Sequence, residues 1–136
     1  MVLVDTSVWI DFLRGRATPQ VGTLEALLAE DEIVATTPLV IQEVLQGADS
    51  PGRFDALIAY LAELACFIPR DPVGSHVSAT RLYQECRLRG RTPRSSNDCL
   101  IAQVAIEHSL ALLHDDRDFD VIAEATDALR IQPVAG

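Results

Sequence analysis

Four acidic positions stand where a freely solvated charge is not the obvious reading. Asp5 ends the apolar run Val2-Leu-Val4 and is followed by Thr6, Ser7 and a helical pattern carrying Val8, Trp9 and Phe12. Ligands gather where the strands of open parallel sheets end, so this carboxylate has a functional address, with helix N-capping as its structural alternative. Glu43 lies in Pro38-Leu-Val-Ile-Gln-Glu-Val-Leu-Gln-Gly47, where helical spacing sets it beside Leu39, Val40 and Gly47. A carboxylate on an apolar or close-packed stripe needs a partner, because burying it alone is very costly. Asp98 opens a helical pattern whose inner stripe continues through Ile101, Ala102 and Ala105. It either complements the helix dipole or, since Ser95 or Ser96 already serves as a cap, points inward. The fourth position is the acidic loop His114-Asp-Asp-Arg-Asp-Phe-Asp120, directly after the apolar run Leu110–Leu113. In this loop Asp115, Asp116 and Asp118 compete for one role.

If one fold brings these acids together, they cannot remain uncompensated. At an effective dielectric near 20, a like-charged pair ~4 Å apart costs ~4 kcal/mol. Cations are required, and oxygen donors without Cys or His partners favour Mg²⁺ or Mn²⁺ over zinc. Such an ion orients a phosphate, lowers the pKa of a water and neutralises a leaving oxygen, which is the chemistry of nucleases and phosphatases.

The elements that must position the acids are short apolar runs alternating with longer helical patterns. Strand-sized runs occur at Val2–Val4, Ile33–Ala35, Cys66–Ile68 and Leu110–Leu113, with a weaker one at Leu129–Ile131. Helix-length segments are Thr6–Leu13, Pro19–Ala29, Pro38–Gly47, Arg53–Glu63, Pro72–Arg89, Ser96–His108 and Phe119–Thr126. Alternation of this kind predicts right-handed crossovers and an α/β fold, a three-layer α/β/α sandwich around a mostly parallel four- to five-stranded sheet. If the first and fourth strands lie side by side at a switch point, Asp5 and Asp116 face one crevice.

The 136 residues are 49% apolar and 23% charged, which excludes disorder and is expected to form a single domain over residues 1–136. No run approaches the ~20 apolar residues of a membrane helix. The start, Met1-Val-Leu-Val-Asp5, reads as a first strand and not as a signal peptide, so a cytoplasmic location and no membrane partner are expected. Cys66, Cys86 and Cys99 match neither a disulfide framework nor zinc spacing and are expected to be small buried hydrophobes. Trp9 is expected in the core. All eleven basic residues are Arg, and with twenty acids the net charge is −9, so the overall field offers no attraction to a polyanion. Any nucleic-acid contact must be local. Arg81, Arg87, Arg89, Arg91 and Arg94 concentrate five of the eleven Arg within fourteen residues leading into Asp98. Arg94 and Arg91 are the candidates for holding phosphates, against the alternative that these Arg cover a helix end.

Val4-Asp-Thr-Ser-Val-Trp-Ile, Pro-Leu-Val-Ile-Gln-Glu-Val, Ser-Asn-Asp-Cys-Leu-Ile-Ala and His-Asp-Asp-Arg-Asp-Phe-Asp resemble, in order and over nearly the whole chain, the four acidic motifs of PIN-domain ribonucleases. The closer resemblance is to VapC-type toxins of type II toxin–antitoxin pairs. It implies a Mg²⁺-dependent endoribonuclease, with Mn²⁺ as a possible substitute, that cleaves RNA phosphodiester bonds by metal-activated water. It also implies a cognate VapB-type antitoxin, a homodimer and a toxin–antitoxin hetero-oligomer. By position, Asp5, Glu43, Asp98 and Asp116 form the catalytic and metal-binding pocket, with Asp118 as the next ligand. Thr6 or Ser7 orients a ligand or water beside Asp5, and Asn97 holds Asp98 from its flank. An acidic pit is a natural receptor for a basic side chain of the antitoxin, while an apolar groove near Trp9, Phe12, Phe54, Leu57 and Tyr60 is a candidate seat for its apolar segment. Two other readings share the acidic pit: a PIN-like binding module without nuclease activity, and a Mg²⁺-binding phosphoacceptor domain. The absence of Lys, which would contact an acyl phosphate, weighs against the latter.

Overall fold

In a computed structural model, which describes residues 1–134, the chain forms five strands and seven helices. They run β1 (Val2–Val4), α1 (Thr6–Leu13), α2 (Pro19–Ala29), β2 (Val34–Thr36), α3 (Pro38–Gln46), α4 (Pro51–Leu61), β3 (Ala65–Cys66), α5 (Pro72–Leu88), α6 (Ser96–Glu107), β4 (Ala111–Leu113), α7 (Arg117–Ala125) and β5 (Arg130–Ile131). The strand order is β3-β2-β1-β4-β5, with every pairing parallel.

Consecutive residues of β1 and β2 point to opposite faces, yet all are buried, so both faces of the sheet are covered. One helical group packs α1 on α2 and α3, and α3 on α4; the other packs α5, α6 and α7 on one another. This is the three-layer α/β/α arrangement expected from the alternation of apolar runs. Leu3, Val4, Ala35, Leu112 and Leu113 are sealed at the centre of the core, as is Trp9, whose ring meets Phe12 and Tyr60 edge-on at 5.8 and 5.9 Å. The outer strands β3 and β5 have two residues each, a length that leaves little edge for unwanted pairing.

Helix starts are set by short polar side chains. Thr18, Ser50, Ser95 and Asp116 accept hydrogen bonds from Val21, Arg53, Asn97 and Asp118 N–H, and Pro occupies the first turn of α2, α3, α4 and α5. Two helices therefore begin earlier than their apolar periodicity indicates. The start of α4 moves from Arg53 to Pro51 because Ser50 caps it, and that of α7 moves from Phe119 to Arg117 because Asp116 does. The third strand starts one residue earlier and ends two residues earlier than expected, at Ala65–Cys66, since its pairing stops where β2 ends at Thr36. As an edge strand it leaves Cys66 exposed, which corrects the expectation for that residue; Cys86 and Cys99 are buried. At the end of α5, Gly90 takes φ +77°, and Gly90 and Arg91 N–H return to the carbonyls of Arg87 and Cys86. This left-handed turn releases the chain toward residues 91–95. Among the described residues no helix is long and apolar enough to cross a membrane.

Candidate functional site

Order reversal makes the site. The order in which the strands are added reverses at β1, which has β2 on one side and β4 on the other; β1 and β4 run parallel and pair Val2 with Ala111, 109 residues further along the chain. The pairing Val4–Leu113 is extended by Asp5 N–H donating to Leu113 C=O at 2.9 Å, so the loops after both strands leave the same edge. Ser7 then joins them: its hydroxyl donates to Asp5 Oδ2 at 2.6 Å and accepts from Asp115 N–H at 3.0 Å. Ser7 N–H also donates to Asp5 Oδ2, at 3.0 Å, making Asp5 the cap of α1. Asp5 therefore caps α1 while standing at the end of β1 beside the end of β4.

Asp98, on the first turn of α6, meets the acidic loop at the start of α7. One carboxylate oxygen from each of Asp98, Asp116 and Asp118 lies within 4.8 Å of the others. Asp5 is buried at 4% exposure beside them, and Glu43, half-buried on α3, accepts a hydrogen bond from Thr6 Oγ1 at 2.8 Å. The five acids thus converge from four segments of the chain. Asp115 does not join them: it is exposed, and its N–H holds Ser7. Asn97 is exposed too, with only its backbone N–H engaged, so among the described residues nothing ties its side chain to Asp98. Thr6 and Ser7 divide the supporting work, one on Glu43 and one on Asp5.

The crowding is visible in the acidities. Burial raises the Asp98 carboxyl from its ordinary 3.8 to about 7, with the charges of Asp5, Asp116, Asp118 and Glu43 adding to the effect. Asp5 is also raised, by burial above all and against its Ser7 and Thr6 hydrogen bonds, with Asp116 contributing. Glu43 is raised by burial, opposed by the Thr6 hydroxyl and aided by Asp5. Among the described residues Asp5, Glu43 and Asp98 have no ion pair, and the all-oxygen donors of Asp98, Asp116 and Asp118 suit a hard divalent cation.

Two residues have placements that the sequence did not disclose. His114 is buried, accepts from Asp116 N–H through Nδ1 at 3.2 Å, packs on Phe119 and approaches Asp120 Oδ1 with Nε2 at 3.5 Å. It braces the acidic loop from behind; its position right after an apolar strand was the only signal. Arg94 turns into the pit. Its Nε donates to Asp118 Oδ2 at 3.2 Å and a terminal nitrogen to Asp116 Oδ1 at 3.1 Å, while its backbone N–H also reaches Asp118 Oδ2, at 3.1 Å. Arg91, the other candidate for RNA phosphates, pairs at the surface with Glu124 of α7.

Residues 2–125 match the family described as PIN domain. The chain belongs to the PIN-domain family. Among PIN-domain proteins it is 34% identical over 127 residues to the VapC ribonuclease Mb1587 of Mycobacterium bovis, covering 93% of this chain and 94% of the relative. It is 38% identical over 106 residues to ribonuclease VapC32 of Mycobacterium tuberculosis, covering 78% and 77%. Solved PIN-fold structures similar to it include VapBC2 from Rickettsia felis bound to a promoter DNA fragment, with TM-score 0.72 and 17% identity over 97% of this chain and 98% of that one. VapBC-1 from nontypeable Haemophilus influenzae gives TM-score 0.73 at 18% identity, covering 97% of both chains. At these identities the two structures support the fold alone, whereas the curated relatives also support the family.

Proposed function

We propose that this PIN-domain protein is a Mg²⁺-dependent endoribonuclease, the toxin of a toxin–antitoxin pair, acting in the cytoplasm. The observation that carries this reading is the convergence of Asp98, Asp116 and Asp118 within 4.8 Å beside buried Asp5, at the sheet's switch point. The ribonuclease names of the curated relatives support the activity. Asp98, Asp116 and Asp118 would hold the ion, with Asp5 and Glu43 completing the acidic wall. When bound, Mg²⁺ or Mn²⁺ supplies neutralising charge and a water of lowered pKa at the scissile phosphate. The chain's own residues then orient the reactants. Ser7 and Thr6 fix the oxygens of Asp5 and Glu43, and His114 holds the backbone of Asp116. Hydrolysis by in-line attack of a water on phosphorus would break the P–O3′ bond and leave a 5′-phosphate, with a proton passing to O3′ to give a 3′-hydroxyl. Arg94 and Arg91 are the candidates for meeting RNA phosphates, for which Arg94 would leave Asp116 and Asp118 and Arg91 would leave Glu124.

A VapB-type antitoxin is the proposed inhibitor, in a hetero-oligomer built on a toxin homodimer. Its basic side chain would match the pit, where Arg94 already demonstrates that a guanidinium fits Asp116 and Asp118. An apolar segment would match the hollow of about 460 Å³ lined by Pro38, Ile41, Leu45 and Phe54 on α3 and α4. Exposed Phe54, Ile58 and Tyr60 continue that surface along α4. The test is cleavage of mixed RNA in Mg²⁺ and in EDTA by native protein, Asp5→Asn and Asp98→Asn. Cleavage by native protein alone, and only in Mg²⁺, is expected; equal cleavage by all three overturns the site assignment.

A further inference from the structure

Arg94 has three properties that belong together. Its fork spans Asp116 and Asp118, two of the three acids that stand closest to one another. Its side chain is nevertheless 73% exposed, so little besides those hydrogen bonds holds it down. And its backbone N–H donates to the same Asp118 Oδ2 that its Nε uses, a contact that ties the loop 91–95 to Asp118 whether or not the side chain stays. A guanidinium and a divalent cation cannot share the same two carboxylates cheaply, because both neutralise the same charge and repel each other. We infer that Arg94 is an exchangeable counter-ion of the pit, holding Asp116 and Asp118 until a divalent cation takes them from it. This rests on the divalent-ion reading of the site given above, and adds to it a competitor carried in the chain itself.

The planar fork donates to two carboxylates at once, which a Lys ammonium does with less geometric definition. The exchange would also free the fork for a phosphate once the cation holds the acids. Exposed ion pairs are weak, so the competition is modest and a cation at millimolar concentration can win it.

The experiment uses the full chain, labelled with ¹⁵N, and follows arginine Nε–H resonances during a Mg²⁺ titration. The Arg94 resonance is expected to move to the position of a solvent-exposed arginine as the site saturates, while exposed Arg14 serves as the unmoved reference. In parallel, calorimetry with Mn²⁺ compares native protein, Arg94→Gln and Arg94→Lys. Removing the competitor is expected to tighten Mn²⁺ binding roughly three- to tenfold for Arg94→Gln, with Arg94→Lys in between. An Arg94 Nε–H unchanged at saturation, or an Arg94→Gln protein that binds Mn²⁺ no tighter than native, overturns the exchange alone. If neither protein binds Mg²⁺ or Mn²⁺, the divalent-ion reading fails with it.

Discussion

Asp98→Asn removes the charge that the pit tolerates least, and the consequence for stability has a definite sign. The Asp98 carboxyl is raised from 3.8 to about 7, by burial first and by Asp5, Asp116, Asp118 and Glu43 next. Between those pH values the folded, metal-free protein keeps a proton on Asp98 while the unfolded chain releases it. The folded state therefore binds more protons, and this group's contribution is full below pH ~4 and lost as pH rises through about 7. Each pH unit is worth about 1.4 kcal/mol, so the whole window approaches ~4 kcal/mol. Asp98 is only half-buried, and solvent screening reduces this to roughly 2 kcal/mol. Asn cannot ionise and avoids the loss. In EDTA at pH 8, Asp98→Asn is expected to unfold about 6–10 °C above the native protein, and at pH 4 close to it. Mg²⁺ is expected to close the gap at pH 8 by stabilising the native protein and not the variant. Thermal unfolding followed by circular dichroism reads all of this. Equal midpoints at pH 8 in EDTA, or the same fall of stability with pH in both proteins, would refute the electrostatic account of the pit.

Other substitutions test the supports. Ser7→Ala cuts the link between the β1 and β4 loops at Asp5 and Asp115, and is expected to weaken Mn²⁺ binding about 10–100-fold by calorimetry while leaving the circular dichroism spectrum native. Gly90→Ala meets no steric obstacle but puts a Cβ at φ +77°, so it is expected to lower unfolding stability by about 1–2 kcal/mol in urea titration. Phe54→Glu places a charge on the α3–α4 hollow; it is expected to leave RNA cleavage unchanged and to weaken antitoxin binding at least tenfold in a pull-down or calorimetric assay.

The parallel sheet was legible because its central strands are buried on both faces and so appear as uninterrupted apolar runs, as at Val2–Val4 and Leu110–Leu113. Acids placed right after such runs, Asp5 and the 114–120 loop, were legible for the same reason: a charge directly after a sealed strand sits at the sheet's edge. Between Asp116 and Asp115 the spacing could not decide, since the choice depends on which residue caps α7. Capping also hid the true start of that helix, because Asp116 caps it with the carboxylate that also faces Asp98 and Asp118. Arg94 was legible as a positive charge near Asp98 but not in its direction, since it lies in a loop without periodicity that is aimed by the turn at Gly90. Cys66 was misread because its strand is an edge, and edge position follows from the order of strands in space and not from their composition.

Diffraction from crystals soaked in Mn²⁺, recorded where manganese scatters anomalously, tests the central claim most directly. The account predicts an anomalous peak within bonding distance of Asp98, Asp116 and Asp118, with Arg94 turned away from the latter two. Fully soaked crystals with no peak at that position, or with manganese only on scattered surface acids, would contradict it.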